Sequence, residues 1–185
     1  MRIISGFHKG RKISAPKKLP VRPTTDMAKE GLFNILTHQI DFEQTSVLDL
    51  CCGTGNISFE FASRGCDSIT AVDQHRGCVS FVNKICDELD FSIRVVQKNI
   101  FGFLQNNTQC FEVVFADPPY DFSNEQYLEI IDLVLTNALS SEGQFILEHE
   151  SRISFEEHPN FSRVRNYGNS CFSFFEKAGH KPDSV

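Results

Sequence analysis

With 185 residues and 41% apolar side chains, the chain is long enough to bury one core, and a single domain is expected. Its seven cysteines are odd in number and include no C-x-x-C pair, which argues against a secreted disulfide framework and against a zinc site. Buried thiols in a reducing cytoplasm, no metal and no membrane partner are the expectation, because neither a signal peptide nor a membrane-spanning run is present. Net charge is −6, yet residues 1–25 hold Arg2, Lys9, Arg11, Lys12, Lys17, Lys18 and Arg22 and no acid. The body is therefore strongly acidic, and a polyanion would be met by the N-terminal arm alone; otherwise the arm is simply a solvated basic end.

In chain order, Ile3-Ile4-Ser5 and Lys12-Ile13-Ser14 flank a glycine-bounded loop with Phe7 and His8 at its tip, which predicts a β-hairpin. Pro16, Pro20 and Pro23 extend the next stretch, and Thr24 or Thr25 caps a helix that opens with Asp26. Met27/Ala28, Gly31/Leu32 and Ile35/Leu36 recur at one-turn spacing, so this helix docks by one stripe.

From Ser46 apolar strands alternate with helices. Strands are predicted at 47–50, 69–72, 93–97, 113–116 and 145–147, and helices at 56–64, 76–89 and 125–137. Buried strands separated by helices mean a parallel sheet covered on both faces. The ending differs: 163–167 and 171–175 bracket Gly168-Asn169, a tight-turn pair, and predict an antiparallel hairpin. The organisation expected is a basic hairpin-and-helix extension (1–40), an α/β domain (41–176) and a frayed tail (177–185).

Two constellations carry chemistry. Asp49-Leu50-Cys51-Cys52-Gly53-Thr54-Gly55-Asn56 joins the first strand to its helix, where glycines admit a ligand to the backbone. Asp73, at the end of the second strand, is placed to accept from ribose hydroxyls. Together they indicate an adenosine-containing cofactor. Ser58 stands where a dinucleotide fingerprint has its third glycine, and Asp49 would repel a pyrophosphate but suits a cation, which favours S-adenosylmethionine. The second constellation, Asp117-Pro118-Pro119-Tyr120, follows the apolar run Val113–Ala116; two prolines stop the strand and fix the carbonyl directions. The Asp117 carboxylate and Pro118 carbonyl could accept from a planar amine while Tyr120 stacks on its ring. Glu148 ends the fifth strand near the same sheet edge and reads as structural.

Here the chain resembles a known family. The tetrapeptide resembles the amino-methyltransferase motif, and 49–55 the S-adenosylmethionine motif of Rossmann-like class I methyltransferases. More narrowly, 1–12, then Arg22-Pro23-Thr24-Thr25-Asp26 with Lys29-Glu30 and Leu32-Phe33-Asn34, and Tyr167–Ser170 near the end, resemble the bacterial RsmD family of 16S ribosomal RNA guanine-N2 methyltransferases. The resemblance implies a mostly parallel seven-stranded sheet and a monomeric enzyme acting on 16S rRNA or the small ribosomal subunit. It also implies roles: Arg22, Thr24 and Thr25 close over the cofactor. Asp49, Gly53 and Gly55 surround its methionine part, Asp73 with Gln74 binds the ribose, and Asn99-Ile100 contacts adenine. Asn99 departs from the Asp frequent in such families, and a helix cap before Ile100 is its alternative role. Arg2, Lys9, Arg11 and Lys12 would contact RNA phosphates.

The competing readings are a DNA adenine or cytosine amino-methyltransferase, a protein-glutamine methyltransferase, a nicotinamide dehydrogenase and a non-catalytic RNA-binding module. Only 65 residues follow Tyr120, which leaves little room for a DNA-recognition domain. A protein-glutamine enzyme would more typically carry Asn in place of Asp117.

Overall fold

The computed structural model describes residues 1–16, 18–19, 24–168 and 170–177. Arg22 and Pro23, the Asn169 half of the turn pair, and all but Lys177 of the expected tail therefore lie outside the described residues.

Seven strands form one sheet in the order β3-β2-β1-β4-β5-β7-β6. β1 (Ser46–Leu50), β2 (Ser68–Asp73), β3 (Ile93–Gln97), β4 (Phe111–Ala116) and β5 (Leu139–Glu150) run parallel. β7 (Ser170–Glu176) lies antiparallel between β5 and β6 (Phe161–Tyr167). The predicted doubly covered parallel sheet with a terminal hairpin is what is found. β5 exceeds the predicted three residues: it takes in polar Ser140, Ser141 and Glu142, across which its register with β4 shifts between the Phe111–Leu139 and Val113–Gln144 pairs, and it runs on to Glu150 against β7.

Strand alternation assigns the two faces. Leu48, Val114, Ala116, Phe145, Leu147 and Phe175 point toward α4 (Ile100–Gln105) and α5 (Asn124–Asn137). Their neighbours Val47, Val113, Phe115, Ile146 and Phe174 point the other way, toward α1 (Asp26–Leu36) and α2 (Asn56–Ser63). A third cluster joins Ile3 and Ile13 of the arm to Phe81, Val82 and Ile85 of α3 (Arg76–Leu89). No helix among the described residues is long and apolar enough to cross a membrane.

The N-terminal arm folds back as a hairpin predicts, but a single bridge between Arg2 and Lys12 replaces regular strands. Its loop is held by α2 instead. Phe7 N–H donates to the Ser63 carbonyl at 2.7 Å and His8 N–H to Ser63 Oγ at 3.0 Å. Gly6 makes that approach possible: its φ is +81°, and a Cβ there would stand 1.7 Å from the Ser63 carbonyl oxygen. The loop consequently presents Phe7 to solvent, 84% exposed, while His8 packs edge-on against Phe91.

Candidate active site

The carboxyl ends of β1, β2 and β4 open onto one cavity of about 580 Å³, large enough for a nucleoside-containing cofactor. In an open parallel sheet this crevice lies where strand order reverses, here between β1 and β4.

The β1–α2 turn forms one wall. Gly53 and Gly55 are left-handed, and so is Cys51 at φ 58°, a conformation unfavourable for a non-glycine residue and held beside the cavity. Gly53 lines the cavity. Gly55 caps α2 instead, and a Cβ on it would meet the Phe59 ring at 2.8 Å, so its smallness serves turn closure. Asp49 is buried and accepts from Ser58 N–H at 3.1 Å and from Ser58 Oγ at 2.5 Å. The serine that breaks the dinucleotide pattern thus tethers the carboxylate. Burial pushes the Asp49 pKa up to about 7, and the Asp73 charge adds to this against the pull of the two Ser58 bonds.

Asp73 braces the floor. Its two oxygens accept from Gly53 N–H at 2.8 Å and His75 N–H at 2.7 Å, tying the glycine turn to the β2–α3 turn. Gln74, Asn99 and Ile100 line the same cavity. Asn99 lines the cavity, and its Oδ1 caps α4 by accepting from Phe101 and Gly102 N–H.

Asp117, Pro118 and Tyr120 complete the opposite wall, with Tyr120 36% exposed at the rim. The Asp117 carboxyl is held well above the usual carboxylate range by burial, then by the charges of Glu148 and Asp49. Glu148 is itself buried and raised by desolvation, against bonds from Thr24 and Ser170. Glu148, expected to be structural, thus also exerts the largest charge effect on Asp117. Burial first, with the Asp73, Asp117 and Asp49 charges behind it, keeps the Cys51 thiol protonated and unsuited to act as a nucleophile.

The two threonines divide their work. Thr24 is buried, lines the cavity and donates to Glu148 at 2.8 Å. Thr25 is exposed and caps α1 by accepting from Ala28 N–H, so it does not line the cavity. Arg2, Lys9, Arg11 and Lys12 are all exposed on the arm, with Arg2 Nε 3.6 Å from Asp26. Arg11 and Lys12 share a cleft of about 130 Å³ with Lys84, a cation the sequence pattern did not single out. Among the described residues no cluster of three or more His, Cys, Asp or Glu side chains could hold a metal ion.

The lining fits S-adenosyl-L-methionine. Backbone lies bare at Gly53, Asp49 and Asp117 present carboxyl groups whose ionised form a cationic centre would favour, and Asp73 offers further acceptor lone pairs.

A family model described as conserved hypothetical protein 95 matches residues 1–176. Ribosomal RNA small subunit methyltransferase D of Escherichia coli K12 is 34% identical over 152 residues, 81% of this chain and 75% of the relative. A putative rRNA methyltransferase of Bacillus subtilis, YlbH, is 27% identical over 190 residues, 97% of this chain and 100% of the relative. Among solved structures, the putative methyltransferase yhhF of Escherichia coli superposes with a TM-score of 0.79 at 29% identity, covering 95% of this chain and 96% of its own. The putative methylase HI0767 of Haemophilus influenzae gives 0.75 at 26%, covering 94% and 96%. The chain belongs to the RsmD family of class I methyltransferases, which use S-adenosyl-L-methionine.

Proposed function

We propose that this protein methylates the exocyclic N2 amino group of a guanine in 16S ribosomal RNA, acting as a cytoplasmic monomer on the small subunit or an assembly intermediate. The observation that carries the reading is the convergence of Asp117, Pro118 and Tyr120 on the cavity that the glycine turn and Asp73 also line. Relatives named small subunit rRNA methyltransferases support the substrate class.

S-adenosyl-L-methionine supplies an electrophilic methyl group on a sulfonium. In this reading Gly53 and Asp49 hold its methionine part, Asp73 and Gln74 its ribose, and Asn99 and Ile100 its adenine. An aromatic amine is a poor nucleophile because its lone pair is delocalised into the ring. The Asp117 carboxylate and the Pro118 carbonyl accept from the two N2–H groups and draw that lone pair out of conjugation. Tyr120 stacks on the guanine and sets its plane, so that positioning and charge complementarity lower the barrier. The raised basicity of Asp117 suits it to take the proton that N2 loses. Residues 1–40 form the RNA-binding and cofactor-closing extension of the 41–176 domain. Arg2, Lys9, Arg11 and Lys12 hold RNA phosphates while the target base turns out of its stack into the cavity.

The test is to incubate the protein with methyl-labelled S-adenosylmethionine and small subunits that lack the modification, and to map the labelled base. Label on guanine N2 of 16S rRNA is expected. Label on adenine N6, on cytosine N4 or on ribosomal protein would overturn the assignment.

A further inference from the structure

A lysine stands on the buried stripe of α1. Lys29 is 1% exposed, and its ammonium donates to the Arg2 carbonyl at 2.7 Å and to Asn56 Oδ1 at 2.8 Å. Its third neighbour is Glu60, also fully buried, at 3.5 Å. Asn56 and Glu60 stand one turn apart on α2, whereas Arg2 belongs to the arm. Glu60 accepts from Ile4 N–H at 2.9 Å and Ser5 N–H at 3.0 Å, so on that side the network ends in the backbone of the basic arm. On the other side, Asn56 Nδ2 donates to the Thr24 carbonyl at 2.9 Å, and Thr24 and Asn56 both line the large cavity. Thr24 continues the run to Glu148.

Charge balance alone does not call for Lys29. Glu60 already pairs with Arg64 at 3.1 Å and takes two backbone N–H groups. A buried ammonium is costly, and burial does pull the Lys29 pKa down, against the raising effects of Glu60 and Asp26. An apolar side chain in its place would fill the stripe without that cost. What it could not do is bond the arm and the cavity wall at once.

We propose that Lys29 is a positioning residue for methyl transfer, joining the seating of the basic arm to the Thr24–Asn56 wall of the cavity. The inference rests on the reading of that cavity as the cofactor site. Because coupling between two sites is reciprocal, an occupied cavity tightens the arm, and an engaged arm tightens the cavity.

Amide hydrogen exchange on the full chain, with and without S-adenosylhomocysteine, reads this without needing RNA. In the wild-type protein the arm amides of Ile3, Gly10 and Ile13, which bond to carbonyls within the arm, should slow by about tenfold on addition of the ligand. In Lys29→Met the amides of Gly53 and Phe101, bonded to the cavity-lining Asp73 and Asn99, should still slow while the arm amides no longer respond; Lys29→Arg should restore part of the response. Should Lys29→Met fail to fold, Asn56→Ala leaves the Lys29–Glu60 pair in place, cuts the link to Thr24 and should give the same loss. Arm amides that respond equally in wild type and the variants, or in none of them, overturn the coupling and leave the cavity assignment standing. Absence of any slowing at Gly53 and Phe101 in the wild type overturns the cavity assignment, and the coupling with it.

Discussion

The parallel register that pairs Ala116 with Leu147 carries Asp117, just past the end of β4, to the position adjoining Glu148 of β5. Two acids that meet at one end of the sheet oppose each other's ionisation, and both are raised above the ordinary carboxylate range.

Removing the first of them separates catalysis from stability. Asp117→Asn should lower the methyl-transfer rate by about 10²–10³-fold, with S-adenosylhomocysteine affinity largely kept. Because folding raises these pKa values, the native state holds more protons than the unfolded chain, and stability falls as pH climbs through the raised values. The variant should therefore melt higher than wild type at alkaline pH, with the difference vanishing below the unfolded carboxylate range. Thermal melts across pH check the sign, and a variant that melts lower at alkaline pH would contradict it.

Asp49 gives cofactor binding its own pH dependence. With its pKa at about 7, the carboxyl is neutral below that pH and cannot attract a cation. S-adenosylmethionine affinity should rise as pH increases from 6 to 8, and Asp49→Asn should flatten the profile. Calorimetric titration at several pH values measures this, and a flat wild-type curve would remove the role.

The arm's role is read by salt. Replacing Lys9, Arg11 and Lys12 together with alanine should weaken RNA binding and make the slope of log affinity against log salt shallower by about 2–3. An unchanged slope would leave these exposed cations without an RNA contact.

One core position is improvable. The Tyr127 hydroxyl is buried without a hydrogen-bond partner among the described residues. Tyr127→Phe should stabilise the protein by about 1 kcal/mol, raising Tm by roughly 2–4 °C. A fall in Tm would mean that the hydroxyl is satisfied in solution.

Much of the site is legible along the chain because its parts are local. The glycine turn, Asp73 at the end of β2 and the proline stop at Asp117 each follow from a few consecutive residues, and strand alternation predicts which end of the sheet they share. Gly55 shows the limit. Its spacing marks a ligand turn, yet the Phe59 ring behind it explains its size. Lys29 carries a local signal too, since its spacing to Leu32, Phe33 and Leu36 puts a cation on the buried face of α1.

By itself the sequence determined the alternation of strands and helices, the glycine turn after β1 and the proline stop after β4, because backbone propensity and period-2 or period-3.6 patterning act within a few residues. Tertiary structure alone decided that Thr24 turns inward while Thr25 caps, that Phe7 is presented to solvent, that Glu148 neighbours Asp117, and that Lys29 bridges arm and cavity. Those outcomes depend on strand register and helix docking between segments far apart in the chain, and no local pattern encodes which distant partner completes a buried polar group.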